Sequence, residues 1–86
     1  MIKTIKVCLS SIDKVKRFSA IIFQFTTVDI VAKQEDFLVD GKSIIGLFSL
    51  NLLAPIDLEI SGDGATVDAV IVAIREFIDK SYFVVD

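Results

Sequence analysis

The sequence predicts an α+β domain with helices stacked on one side of a mostly antiparallel sheet, and three observations predict it. Residues 2–9 and 56–60 alternate apolar and polar side chains, the period-2 signature of a strand that buries one face. Residues 12–24 and the stretch from Val67 to Ile78 instead repeat their apolar residues at helical spacing. Between them, the β-branched and aromatic runs 28–33 and 36–40 are separated by polar Gln34-Glu35, a spacing that suits a hairpin. With a short helix after the hairpin the order is β-α-β-β-α-β-α, and one amphipathic helix face per connection places the helices together on one face of the sheet.

In the first strand Ile5, Val7 and Leu9 form the inward set, against Lys6 and Cys8. Ser10 and Ser11 then offer capping oxygens to a helix over roughly 12–24, whose stripe is Val15, Phe18, Ile22 and Phe25. Ile21 and Phe23 widen that face, toward a partner or toward the chain's own tail. Asp40-Gly41 is a turn signal that ends the hairpin, and Ser43 stands where a second, short helix to about Asn51 needs an oxygen for its free amides. Pro55 closes the next connection, and Ile56, Leu58 and Ile60 point inward from the fourth strand. After the loop Ser61-Gly62-Asp63-Gly64, Thr66 caps a last helix in which Val67, Val70, Ile71, Ile74, Phe77 and Ile78 hold one stripe through three turns.

At 86 residues, 53% of them apolar and 24% charged, the chain suits one packed domain, residues 1–80, with apolar surface left over for a partner. The longest apolar run, the six residues from Ala69 to Ile74, is far short of the roughly 18–20 that cross a bilayer, so no membrane association is expected. The alternating N-terminus Met1-Ile2-Lys3-Thr4-Ile5-Lys6 does not read as a signal peptide, which makes the cytoplasm the default location. The single Cys8 reads as a small strand filler, and without any histidine no cysteine-histidine metal cluster is available; neither a metal nor a cofactor is expected. A net charge of -3 argues against direct nucleic-acid binding. Serines without a base, carboxylates scattered on strand faces and no glycine-rich phosphate loop leave no catalytic constellation, so the chain does not read as an enzyme.

The stretch Val39 to Leu50 packs a turn, a helix start and a very apolar short helix into twelve residues. Ile44, Ile45, Leu47, Phe48 and Leu50 cover more than one helical face and cannot all enter one core, so some of them face outward. The run Gly41-Lys42-Ser43-Ile44-Ile45-Gly46-Leu47-Phe48-Ser49-Leu50 resembles the segment around the regulatory serine of HPr, the phosphocarrier of the bacterial sugar phosphotransferase system, in its Gram-positive form. The resemblance is specific over about ten residues and extends loosely over most of the chain through the order and spacing of elements.

The resemblance implies an open-faced two-layer β-sandwich with strand order one-four-two-three and three helices on one face. It also implies that Ser43 is a phosphorylation site read by a serine kinase, a transcription regulator or a component of the phosphotransferase system, with Lys42, Ile44, Ile45, Gly46 and Phe48 at the contact surface. The chain departs from the family where the phosphocarrier histidine, followed by arginine and proline, belongs. It reads Ser10-Ser11-Ile12-Asp13-Lys14-Val15-Lys16-Arg17 instead, so Ile12, Asp13, Lys14 and Arg17 mark a degenerate phosphocarrier loop. The expected role is therefore a non-catalytic regulatory or interaction module. The alternatives are a carrier with a non-histidine acceptor, for which Asp13 is the candidate, and a structural domain unrelated to sugar transport.

Lys14, Lys16 and Arg17 read either as an anion site near a helix start or as a solvated face. Gly46 costs a helix interior roughly 1 kcal/mol against alanine, which close approach of another surface or a tight internal contact would explain. Residues 81–86 lie beyond the resemblance. Their Tyr82-Phe83-Val84-Val85 is β-prone and apolar, and it is expected to fold back on the domain or to pair with a second subunit as a homodimer.

Overall fold

The computed structural model describes residues 1–79. In chain order it contains β1 (Ile2–Val7), α1 (Ile12–Ile22), β2 (Asp29–Gln34), β3 (Phe37–Asp40), α2 (Ile44–Phe48), β4 (Ile56–Ser61), α3 (Gly64–Ala73) and a 3₁₀ turn at Arg75–Phe77. The four strands form one antiparallel sheet in the order β1-β4-β2-β3, with three helices, as expected. The tail 81–86 lies outside the described residues.

β4 sits between β1 and β2, and its alternation decides both sheet faces. Ile56, Leu58 and Ile60 are fully buried under the helices, with Ile5 and Val7 of β1 and Ile30 and Ala32 of β2 beside them. Val15, Phe18 and Ile22 of α1, Leu47 of α2 and Val67 and Val70 of α3 complete a single core. On the open face the alternating carboxylates meet cations of the neighbouring strands: Lys6 Nζ lies 2.7 Å from Asp57 Oδ1, and Lys33 Nζ lies 2.9 Å from Glu59 Oε2. Such half-exposed pairs contribute at most about 1 kcal/mol each, so they set register more than stability.

Helix ends depart from expectation where three-residue hydrogen bonds tighten the chain. α1 stops at Ile22 rather than near residue 24, because the amides of Gln24 and Phe25 donate to Ile21 and Ile22. α2 stops at Phe48 rather than near Asn51, because Ser49 and Leu50 donate to Gly46 and Leu47; the tightening turns Leu50 into the core. Thr66 is not the cap of α3. Asp63 is, since its Oδ2 accepts from the Thr66 amide and hydroxyl, each at 3.2 Å, and Gly64 and Ala65 already lie in the helix.

The stripe from Val67 to Ile78 likewise does not run through one helix. α3 ends at Ala73, Ile74 leaves helical geometry, and the 3₁₀ turn redirects the chain beyond it. Phe77 thereby meets Phe18 edge-on, with ring centroids 5.6 Å apart at 89°, and Ile78 pairs with Val7. A straight helix would carry both residues away from β1.

The β2–β3 hairpin turns on Glu35 and Asp36 between the paired Gln34 and Phe37. Glu35 has φ 53°, a left-handed conformation that a side chain with Cβ adopts at a cost. Glu35→Gly is expected to raise stability by about 0.5–1 kcal/mol, because glycine removes the Cβ clash but loses more chain entropy on folding. An unchanged or lowered urea midpoint would show that the turn carries no such strain.

Candidate functional site

α1 and α2 lie side by side and leave between them a groove lined by Lys16, Ser19, Ala20, Phe23, Lys42 and Ile44. Phe23 is 74% exposed, and on α2 Ile45 is 81% exposed, with Ile44 and Phe48 also open to solvent. Only Leu47 of α2 is buried, which is how so apolar a helix resolves its excess of greasy residues. An apolar surface rimmed by two lysines is thus built from residues far apart in the chain. The Ser19 hydroxyl in the groove wall is buried without a hydrogen-bond partner among the described residues.

Ser43 is the N-cap of α2, and its Oγ accepts from the Gly46 amide at 3.1 Å. Asp40 holds the approach: its Oδ1 accepts from the Lys42 amide at 3.0 Å and its carbonyl from the Ser43 amide. Gly46 has an internal reason to lack a side chain, since an added Cβ would stand 3.3 Å from both the Val39 Cβ and the Ser43 Oγ. Beyond α2, the Gln34 side chain clamps the connection, donating to the Asn51 carbonyl at 2.8 Å and accepting from its amide at 2.7 Å.

The degenerate phosphocarrier loop is arranged differently. Ser11 caps α1, accepting from the Lys14 amide, and Ile12 is exposed. Lys14 donates to the Ser10 hydroxyl at 3.3 Å. Arg17 Nε donates to Asp13 Oδ2 at 3.2 Å, while its other end donates to Glu76 Oε2 at 3.0 Å and lies 5.4 Å over the Phe77 ring. The Glu76 carboxylate, with Asp13 adding to it, raises the Arg17 pKa further above its ordinary value. Arg17 therefore ties α1 to the 3₁₀ turn, and Lys16 faces the groove, so Lys14, Lys16 and Arg17 do not form one anion site.

Sequence reading named Ser43, Ile44, Ile45 and Phe48 and, on α1, Phe23 with Ile21 as a face turned toward a partner or the chain's own tail, but not Lys16, Ser19 and Ala20 of the groove wall. The signal is present: Ile12, Lys16, Ser19, Ala20 and Phe23 recur at helical spacing as a second stripe beside the buried one. Among the described residues no group of histidine, cysteine or acidic side chains is placed to hold a metal ion, and no helix is long and apolar enough to cross a membrane. No family model matches the chain, and no curated protein matches it.

Proposed function

We propose that the chain is a divergent HPr-like protein without the phosphoryl-carrying histidine, and that it acts in the cytoplasm as a non-catalytic regulatory or protein-interaction module gated by phosphorylation of Ser43. The observation that carries the reading is the α1–α2 face, where Phe23, Ile44, Ile45 and Phe48 are exposed beside Lys16 and Lys42. The sheet order β1-β4-β2-β3, which the resemblance implies, supports it as well. An apolar surface with a basic rim suits a protein partner that is acidic around its contact, and a phosphotransferase component or a transcription regulator is the partner class the resemblance suggests.

A phosphoryl group on Ser43 would add roughly -1.5 to -2 charges beside Lys42 at the edge of this face. The fold tolerates it, because Ser43 is only half buried and its cap bond can be kept by a phosphate oxygen. The surface changes sign locally, which repels an acidic partner and recruits an arginine-bearing one.

Binding of the parent protein and three variants to a partner recovered from its own cells tests the reading. Ile45→Glu and Phe48→Glu are each expected to weaken binding by about 2 kcal/mol, roughly thirtyfold, as anchors in a contact centre do. Ser43→Asp is expected to change affinity while leaving the melting temperature unchanged. A partner that holds all three variants as tightly as the parent would reduce this stretch to a capped surface helix.

A further inference from the structure

We propose that the outer edge of β3 pairs antiparallel with the same edge of a second copy of the chain, joining two sheets into one across a two-fold axis at Val39. β3 is an end strand of the sheet and is bonded to β2 on one side only. The Gly41 amide donates to the Ile30 carbonyl at 2.8 Å, which fixes the alternation along the strand. Phe37, Val39 and Gly41 turn their backbone groups to β2, and Leu38 and Asp40 turn theirs outward. Among the described residues the Leu38 amide and carbonyl and the Asp40 amide meet no partner. The opposite edge of the sheet, by contrast, is joined at Val7 and Lys6 by Ile78 and Asp79.

The side chains leave the β3 edge open to pairing. Lysine, proline or a bulge commonly guards such an edge, and Phe37-Leu38-Val39-Asp40 has none of the three. Phe37 is 61% exposed and Leu38 65%, and as consecutive strand residues they flank the edge on both faces. Unmet backbone groups between two exposed apolar side chains suit an added strand.

Charge selects the register and, through it, the occupant. Since only even-numbered residues point outward, two copies can meet about Leu38, Val39 or Asp40. An axis at Leu38 sets Asp36 against Asp40 of the second copy, and an axis at Asp40 sets that residue against its own counterpart. Both oppose like charges. An axis at Val39 instead sets Asp36 against Lys42 and Phe37 against Gly41, each repeated by the symmetry, and Val39 against itself. Asp36 lies in the hairpin turn at one end of β3, while Lys42 borders the same hollow as Leu38 and Asp40 at the other. An edge acidic at one end and basic at the other is complementary to itself when run antiparallel. In this register Leu38 and Asp40 exchange backbone bonds across the axis; the Asp40 carbonyl, which accepts from the Ser43 amide, has a second lone pair for them. The two Leu38 side chains come within diagonal reach, and the Phe37 ring covers the glycine backbone. The inference rests on the sheet edge and holds whether or not the α1–α2 face binds a regulator.

Sedimentation equilibrium of the full chain is expected to show a monomer–dimer equilibrium with a dissociation constant below about 1 mM. In a mixture of isotope-labelled and unlabelled chains, Hα–Hα contacts between copies are expected at Val39–Val39 and Phe37–Gly41. Leu38→Pro removes an outward amide but no bond to β2, and is expected to abolish the dimer while the chain stays folded. Leu38→Lys, which guards the edge and leaves the backbone intact, is expected to do the same. Lys42→Glu is expected to weaken the dimer roughly fivefold or more, and adding Asp36→Lys to restore it. A monomer throughout the concentration range, contacts between copies at Phe37–Val39 or on another surface, or a dimer that survives both Leu38 variants would overturn the proposal. An edge that serves an extended segment of a different protein gives the first of these outcomes.

Discussion

Phe18→Ala is expected to destabilise the protein by about 3–5 kcal/mol, the range for removing a fully buried aromatic ring. Phe18 is the largest of the fully buried side chains and is 0% exposed. It packs from α1 against Phe77 with the two rings near perpendicular, and the Arg17 guanidinium lies 5.4 Å from the Phe77 ring centroid. Truncation therefore leaves a cavity and also loosens the 3₁₀ turn that brings Ile78 to β1. A domain of this size has a total stability of about 4–13 kcal/mol, so the loss takes from about a quarter to all of that margin. Urea unfolding of Phe18→Ala beside Phe18→Leu measures the effect, the leucine variant retaining most of the volume and losing less. A loss below about 1 kcal/mol for alanine would show that the ring is not the hub that its burial indicates.

Gly41→Ala is expected to cost about 1–3 kcal/mol through overpacking, and more if the backbone gives way. A Cβ there would stand 2.4 Å from the Ile30 Cγ2 and 3.0 Å from the Ile30 carbonyl oxygen. Neither neighbour yields easily. Ile30 is β-branched, 2% exposed and held in β2 opposite Ile60, and its carbonyl accepts from the Gly41 amide at 2.8 Å. Gly41 also leads directly into Lys42 and Ser43, so relief by backbone movement would shift the start of α2 and, with it, the groove. The check is a double-mutant cycle with Ile30→Ala, which removes the clashing methyl. The double variant should be more stable than the sum of the two single losses predicts, and strict additivity would show that the contact does not exist.

Features legible in the sequence are those that neighbours along the chain decide. Ser43 as a cap and the inward sets of β1 and β4 follow from spacing alone, because a strand has a period of two and a cap acts on an amide three residues away. The start of α3 was equally local but was hidden: Asp63 lies between two glycines, and the loop signal of Ser61-Gly62-Asp63-Gly64 masked a cap that reaches Thr66. The end of α3 was not legible. Ile74, Phe77 and Ile78 keep helical spacing on paper, and the helix is broken by the pull of Phe18 on Phe77 and of β1 on Ile78, contacts with residues far earlier in the chain.

The sequence by itself determined the order of the four strands and three helices and most of the residues they bury, since these depend on periodicity and on turns and caps a few residues long. The tertiary structure decided what became of the side chains left over. Whether Arg17 belonged to an anion site depended on the position of Glu76. Whether Gly46 was spared a side chain for a partner or for the fold depended on Val39. Whether Phe23 stood alone or beside Ile44 depended on how α1 lies against α2. Each outcome is set by the placement of one element against another, and that placement comes from packing the whole core, which no local window of the chain contains.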